Sequence, residues 1–147
     1  MTGPGFHPLA EAFGNLGSVH TLVVCSEDGL DEISIASDTH VSELRDGSIR
    51  DYVITPEQFG IARQSLDSLV VADAEDSFQM IRSALNGEPG PASDMVALNA
   101  GATIYSADLA DSMEAGVERA KAILISKAGV VKLDELCGYT QQFTEQD

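Results

Sequence analysis

Thr21-Leu22-Val23-Val24-Cys25, followed two residues on by Asp28-Gly29-Leu30-Asp31-Glu32-Ile33-Ser34, is the stretch on which the fold turns. The first five residues are a continuous apolar run of the length of a buried strand. The second segment is a loop that carries two adjacent carboxylates, Asp31 and Glu32. In open α/β sheets, ligands bind in the crevice outside the carboxyl ends of strands. An acidic pair just past such a strand is therefore a candidate seat for a hard cation. Magnesium is commonly held by one or two carboxylates, with substrate phosphates and water completing the shell. The glycine and the terminal glutamate do not fall at EF-hand positions. A solvated acidic turn is the other reading, since Glu27 and Asp28 add to the charge of the same loop.

Working outward, Leu9, Phe13 and Leu16 recur at helical spacing, with Gly17 as a stop. The pattern predicts a short amphipathic helix before the strand. Thr39 to Leu44 and Ile49 to Ile54 read as strands flanking Arg45-Asp46-Gly47-Ser48, and Asp-Gly is a strong hairpin signal. Thr55-Pro56-Glu57-Gln58 has the form of a helix start with a capping-box glutamine, which Gly60 ends quickly.

The second half reads as helical. Phe78, Ile81 and Leu85 form one stripe, closed by Gly87, and Glu88-Pro89-Gly90-Pro91 is a rigid connector. Ser93 is expected to cap a helix to about Ala107, whose small centre, Asn99-Ala100-Gly101-Ala102, suits close packing. Asp111-Ser112-Met113-Glu114 resembles a capping box for a helix carrying Val117, Ala120 and Leu124, with Gly129 as its breaker. A last helix carries Leu133, Leu136 and Phe143, and Thr144 to Asp147 is expected to fray. Thr21 to Cys25 is the one strand expected at a sheet centre. The class is α/β, with a β-hairpin and several C-terminal helices, in a single domain spanning residues 1–147.

Composition narrows the function. With 24 acidic against 8 basic residues the net charge is −16, which argues against nucleic acid and anionic membranes as partners. A phosphorylated substrate would need metal ions, or cations from another chain, to offset the repulsion. No apolar run approaches the ~20 residues of a membrane span. Met1 to His7 shows no basic region followed by an apolar stretch, so a cytoplasmic protein is expected. Cys25 and Cys137 read as small buried hydrophobes rather than a disulfide.

Other chemistry is sparse. His7, His20 and His40 have no motif partner and read as surface or packing residues. Ser26, Ser34 and Ser37 lack a nucleophile elbow, and there is no phosphate-cradling glycine loop. Arg45 and Arg50 are expected in surface pairs. Asn99 is expected as a buried, hydrogen-bonded structural amide.

Several phrases together resemble the C-terminal part of the anthranilate phosphoribosyltransferase family. They are Leu22-Val23-Val24, Glu27-Asp28-Gly29-Leu30-Asp31-Glu32-Ile33-Ser34, Thr39-His40-Val41-Ser42-Glu43-Leu44-Arg45-Asp46-Gly47, Ile54-Thr55-Pro56-Glu57-Gln58-Phe59-Gly60 and Val96-Ala97-Leu98-Asn99-Ala100. The resemblance implies the C-terminal portion of a phosphoribosyltransferase/nucleoside phosphorylase-like α/β domain. It implies transfer of phosphoribosyl from phosphoribosyl pyrophosphate to the amine of anthranilate, in tryptophan biosynthesis. It implies Mg2+ as cofactor, bound near the pyrophosphate by Asp31 and Glu32.

The departures from the family pattern are as informative. The glycine-rich Gly-Thr-Gly-Gly-Asp loop, the Lys-His-Gly segment, the arginine-bearing region that holds anthranilate and the helical domain have no counterpart in these 147 residues. Ser37-Asp38-Thr39 stands for Gly-Pro-Thr, Val71-Ala72 for a Gly-Gly pair and Asp76-Ser77-Phe78 for Glu-Asn-Ala. Losing glycines removes conformations that only glycine adopts easily, so a rearranged loop near Val71 is expected. No catalytic residue is assigned to this chain. Phosphoribosyl pyrophosphate and anthranilate are expected as partners only when the missing part is supplied. Three readings stay open: one part of a split or truncated enzyme, associating with an upstream-encoded half; a non-catalytic magnesium-binding or interaction module; and a fragment that self-associates to cover an unpaired edge.

Overall fold

The computed structural model describes residues 6–143. The expected fraying of Thr144 to Asp147, and most of the N-terminal stretch read for a leader, lie outside the described residues. The chain runs α1 (His7–Asn15), β1 (His20–Ser26), β2 (Thr39–Arg45), β3 (Ser48–Ile54), two 3-10 turns (Pro56–Phe59 and Asp67–Leu69), then α2 (Ala74–Leu85), α3 (Pro91–Ser106), α4 (Met113–Ile125) and α5 (Ala128–Gln141). It is an α/β chain with a three-stranded antiparallel sheet in the order β1-β2-β3.

The expectation of Thr21 to Cys25 as the sheet-centre strand is corrected. Among the described residues β1 is an edge and β2 lies between its neighbours. β2 is covered on both faces: Thr39, Val41, Ser42, Glu43 and Leu44 are all buried. Alternation along a strand sends side chains to opposite faces. Val41 joins Ile54 and Phe59 in a core with Leu98 and Tyr105 of α3 and Met113 and Val117 of α4. Leu44 and Val23 point the other way, onto Ala10 of α1. The polar letters of β2 hide its burial: Thr39 and Ser42 are satisfied by nearby Ser34 and Asp51, whereas Glu43 also draws on Tyr105, 62 residues away.

The hairpin forms at the expected Asp-Gly. Asp46 and Gly47 take φ of 49° and 77°, the paired positive values of a type I′ turn that continues the twist of both strands. Gln58 Oε1 accepts from the Thr55 N–H at 3.2 Å, as the capping box requires, but the element it starts is one 3-10 turn.

The helices correct several stripes. On α1 the buried residue is Ala10, whereas Leu9, Phe13 and Leu16 are 48%, 37% and 83% exposed. A small residue lets the helix backbone approach the sheet, and Gly14 continues that face against Leu44. On α2 the buried residue is Ala84 and Ile81 is exposed. Asp73 caps this helix, its Oδ1 accepting from Asp76 N–H at 2.9 Å. α3 begins at Pro91 rather than from a Ser93 cap; Ser93 Oγ instead donates to the Glu88 carbonyl. Ser112 does cap α4, accepting from Ala115 N–H at 3.2 Å, and Val117, Ala120 and Leu124 are buried. The break after α4 falls at Lys127, with φ of 62°, while Gly129 lies inside α5 against Leu85. Leu136 and Phe143 of the last helical stretch are exposed. Cys25 and Cys137 are free and only half-buried, against the expectation of burial.

The small centre of α3 packs as expected. A Cβ at Gly101 would lie 2.6 Å from Val117 N, so α3 and α4 meet at backbone distance. This contact fixes the position of α3 beneath the acidic loop.

Candidate functional site

The loop of residues 27–38 joins β1 to β2 and is held from three sides. Its base is closed by backbone bonds from Ser26 N–H to Leu30 O at 3.0 Å and from Glu27 N–H to Asp38 O at 2.9 Å. Its far limb is anchored by Ile33 and Ile35, which are 3% and 0% exposed in the main core. Inside the loop, Asp28 is a knot. Ser26 Oγ donates to one of its oxygens and Ser34 Oγ to the other at 2.5 Å, while Leu30 N–H reaches Oδ1 at 3.3 Å. Partial burial pushes the Asp28 carboxyl up, but the bonds from Ser26, Ser34, Leu30 and Ser37 together hold it below its ordinary value. Asp28 is thereby committed to the loop.

Asp31 and Glu32 are exposed, as Asp28 is, at the crest between the knot and the core anchor, and they differ from it in their hydrogen bonding. No hydrogen bond or ion pair holds either carboxylate among the described residues. The next residue, Ile33, is clamped by Asn99 of α3. Asn99 Oδ1 accepts from Ile33 N–H at 3.0 Å, and its Nδ2 donates to Ile33 O at 2.9 Å and to Met95 O at 3.0 Å. The expected structural amide is thus present, half-buried. Chemically the pair offers hard oxygen donors on a fixed frame, which suits magnesium with its other ligands from phosphate and water. Among the described residues there is no group of three or more His, Cys, Asp or Glu able to hold a metal by themselves.

A second polar centre was not legible in the sequence. The Glu43 side chain is 1% exposed. Tyr105 Oη donates to Oε1 at 2.6 Å, Arg50 to Oε2 at 2.8 Å and Tyr52 Oη to Oε2 at 3.0 Å. His20, whose side chain is 2% exposed, lies between Glu43 Oε1 at 3.2 Å and Asp108 Oδ1 at 3.1 Å, its ring edge-on to Tyr105. Burial raises the Glu43 carboxyl, but the donors Tyr105, Arg50 and Tyr52 outweigh it and hold the group below its usual range. Burial pushes the Tyr52 and Tyr105 hydroxyls up. The expectation of a surface pair for Arg50 is corrected: its partner is this buried carboxylate. Arg45 does pair at the surface, with Asp108 at 3.3 Å. The only available signal was the alternation of β2, which puts Glu43 on the same face as Val41.

His7 and His40 are partly exposed and lie near Asp51 at 2.9 Å and Glu27 at 3.4 Å. Of the positions that depart from the family pattern, Asp38 binds Arg63 at 2.6 Å, and Arg63 also holds Glu57, whose carboxyl falls to about 2 under that guanidinium. Val71 is exposed between the second 3-10 turn and α2. Among the described residues no helix is long and apolar enough to cross a membrane.

The chain matches the family model described as "Glycosyl transferase family, a/b domain" over residues 5–129. It is 50% identical over 142 residues to the anthranilate phosphoribosyltransferase of Methylococcus capsulatus, covering 97% of this chain and 42% of that protein. The crystal structure of anthranilate phosphoribosyltransferase from Thermus thermophilus superposes with a TM-score of 0.81 at 35% identity, over 91% of this chain and 39% of that one. The Saccharomyces cerevisiae enzyme in complex with PRPP and Mg shares the fold, with a TM-score of 0.67 at 19% identity over 78% of this chain and 33% of that one. The chain spans about two fifths of the length of the curated relatives it matches.

Proposed function

This chain belongs to the glycosyl transferase family, in its a/b domain, and from that membership we propose that it is the C-terminal portion of an anthranilate phosphoribosyltransferase. The observation that carries this reading is the identity of 50% along 97% of the chain with a protein of that name. The proposed reaction moves phosphoribosyl from phosphoribosyl pyrophosphate to the anthranilate amine, in tryptophan biosynthesis, in the cytoplasm. The chain acts as a single domain that supplies one corner of the site.

In this reading Asp31 and Glu32 would hold Mg2+. Held there, the ion would supply positive charge that offsets the negative charge of a pyrophosphate leaving group. The rest falls to the frame. The Asp28 knot and the Asn99 clamp keep two free carboxylates at the crest of a loop that does not have to order itself on binding. The net charge of −16 repels an anionic substrate, so neutralisation at the acidic pair is a condition of its approach. The groups that grip phosphoribosyl pyrophosphate and anthranilate come from the portion that these 147 residues do not match.

The test is a fluorescence assay of anthranilate consumption with phosphoribosyl pyrophosphate and Mg2+. The chain alone is expected to be inactive. Mixed with the separately produced remainder of the Methylococcus capsulatus relative, it is expected to restore turnover, and Asp31→Asn/Glu32→Gln is expected to remove it. Turnover by the chain alone, or a folded complex of the two parts with no activity, would overturn the proposal.

A further inference from the structure

We infer that Asn99 is the positioning residue of the acidic pair, setting the direction in which Glu32 and Asp31 present their carboxylates to a cation. The inference rests on the metal-binding reading above and adds a residue on a different element, 66 positions away in sequence.

The reason lies in backbone geometry. The Ile33 N–H belongs to the peptide plane that also contains the Glu32 carbonyl, because peptide units are planar. The Ile33 carbonyl belongs to the next plane. Asn99 binds both, accepting from Ile33 N–H at 3.0 Å and donating to Ile33 O at 2.9 Å. Two successive planes are thereby fixed by one side chain. The soft torsions left at Glu32 are those between a fixed plane and the turn closed by Asp28.

Asn99 is itself held. Its amide nitrogen also donates to Met95 O at 3.0 Å, one helical turn earlier. Leu98, its neighbour on α3, is 1% exposed in the main core, and Gly101 meets α4 at backbone distance. The helix therefore acts as a rigid arm on which the clamp is mounted. A side chain that only satisfied its own polar atoms could do so with water or with any nearby carbonyl. The bidentate grip on the residue that follows Asp31-Glu32 transmits the position of α3 to the carboxylates. Groups that orient ligands from outside the metal's own shell commonly change affinity by about 10–100-fold when removed.

The experiment uses the whole chain and two independent readouts. Mn2+ binding is followed by electron paramagnetic resonance of the free ion, and amide hydrogen exchange at Ile33 and Ser34 is followed by NMR without metal. Asn99→Ala is expected to raise the Mn2+ dissociation constant about tenfold and to speed Ile33 exchange at least as much. Leu44→Ala serves as the matched control. It opens the smaller core with Ala10 and Val23, on the face of β2 turned away from α3, and is expected to lower the melting temperature while leaving Mn2+ affinity unchanged. If Asn99→Ala does not fold, Asn99→Asp retains the acceptor, removes both donor bonds and is read in the same way. Unchanged exchange at Ile33 overturns the inference, as does an equal loss of Mn2+ affinity in Leu44→Ala. A wild-type chain that binds no Mn2+, with Ile33 exchange still released by Asn99→Ala, refutes the metal reading and with it the cation-directing role, while locating the failure at the carboxylates rather than at the clamp.

Discussion

Two carboxylate centres in this chain are built from the same kinds of residue and serve opposite ends. Glu43 is 1% exposed and meets Tyr105, Arg50, Tyr52 and His20. Asp31 and Glu32 are exposed, and among the described residues no hydrogen bond or ion pair holds their carboxylates, although the loop beneath them is fixed by Asp28 and Asn99. A charge removed from water must be paired or it is very costly, so Glu43 is consumed by its own burial. A charge left in water on an ordered frame keeps its binding capacity. The difference lies in where the donors point.

The contrast can be broken most severely at Glu43. Glu43→Ala is expected to cost about 3 kcal/mol or more, because Tyr105, Tyr52 and His20 lose a buried acceptor together. Urea denaturation checks this, and a change below about 1 kcal/mol would remove the distinction between the two centres.

Next in size is the platform on which the loop is clamped. Gly101→Ala places a methyl group against Val117 and is expected to cost about 1–3 kcal/mol by overpacking. The same denaturation series, run with Ile33 amide exchange, shows whether loosening α3 reaches the acidic loop.

Acid sharpens the comparison further. The Asp28 and Glu43 carboxyls are both depressed in the folded chain. Their contribution is therefore fully present above the ordinary carboxylate range and is lost as pH falls through the lower folded values. Melting temperatures are expected to drop as pH is lowered from about 7 to about 3, across the carboxylate range, and the drop is expected to shrink in Glu43→Gln. An identical slope in that variant would sink the assignment to Glu43.

The smallest effect on stability belongs to the pair itself. Asp31→Asn/Glu32→Gln is expected to shift unfolding by no more than about 0.5 kcal/mol, as surface changes do, while abolishing Mn2+ binding. A large loss of stability would mean that the pair holds the loop together, contrary to its lack of described partners.

Local patterns were legible where local physics decides. Asp46-Gly47 took the positive φ values of its turn, and Ser112 capped α4, because turns and caps are settled within a few residues. Asp31-Glu32 was visible as a candidate because adjacent carboxylates after an apolar strand need no distant partner to be noticed. The apolar stripe of α1 misled. Leu9, Phe13 and Leu16 have helical spacing, yet Ala10 faces the sheet, and only the sheet's surface determines which face of a helix can come closest.

What the sequence determined by itself is the α/β class, the hairpin, the order of most elements and the location of an acidic crest, since these follow from periodicity, turn chemistry and charge. What the tertiary structure decided is which carboxylates are spent and which are free. Glu43 becomes a buried hub only because Tyr105 arrives from 62 residues away, and the frame under Glu32 is set only because Asn99 reaches Ile33 across 66. Hydrogen bonds are short-ranged and directional, so their partners are chosen by packing in space and not by neighbours in the chain.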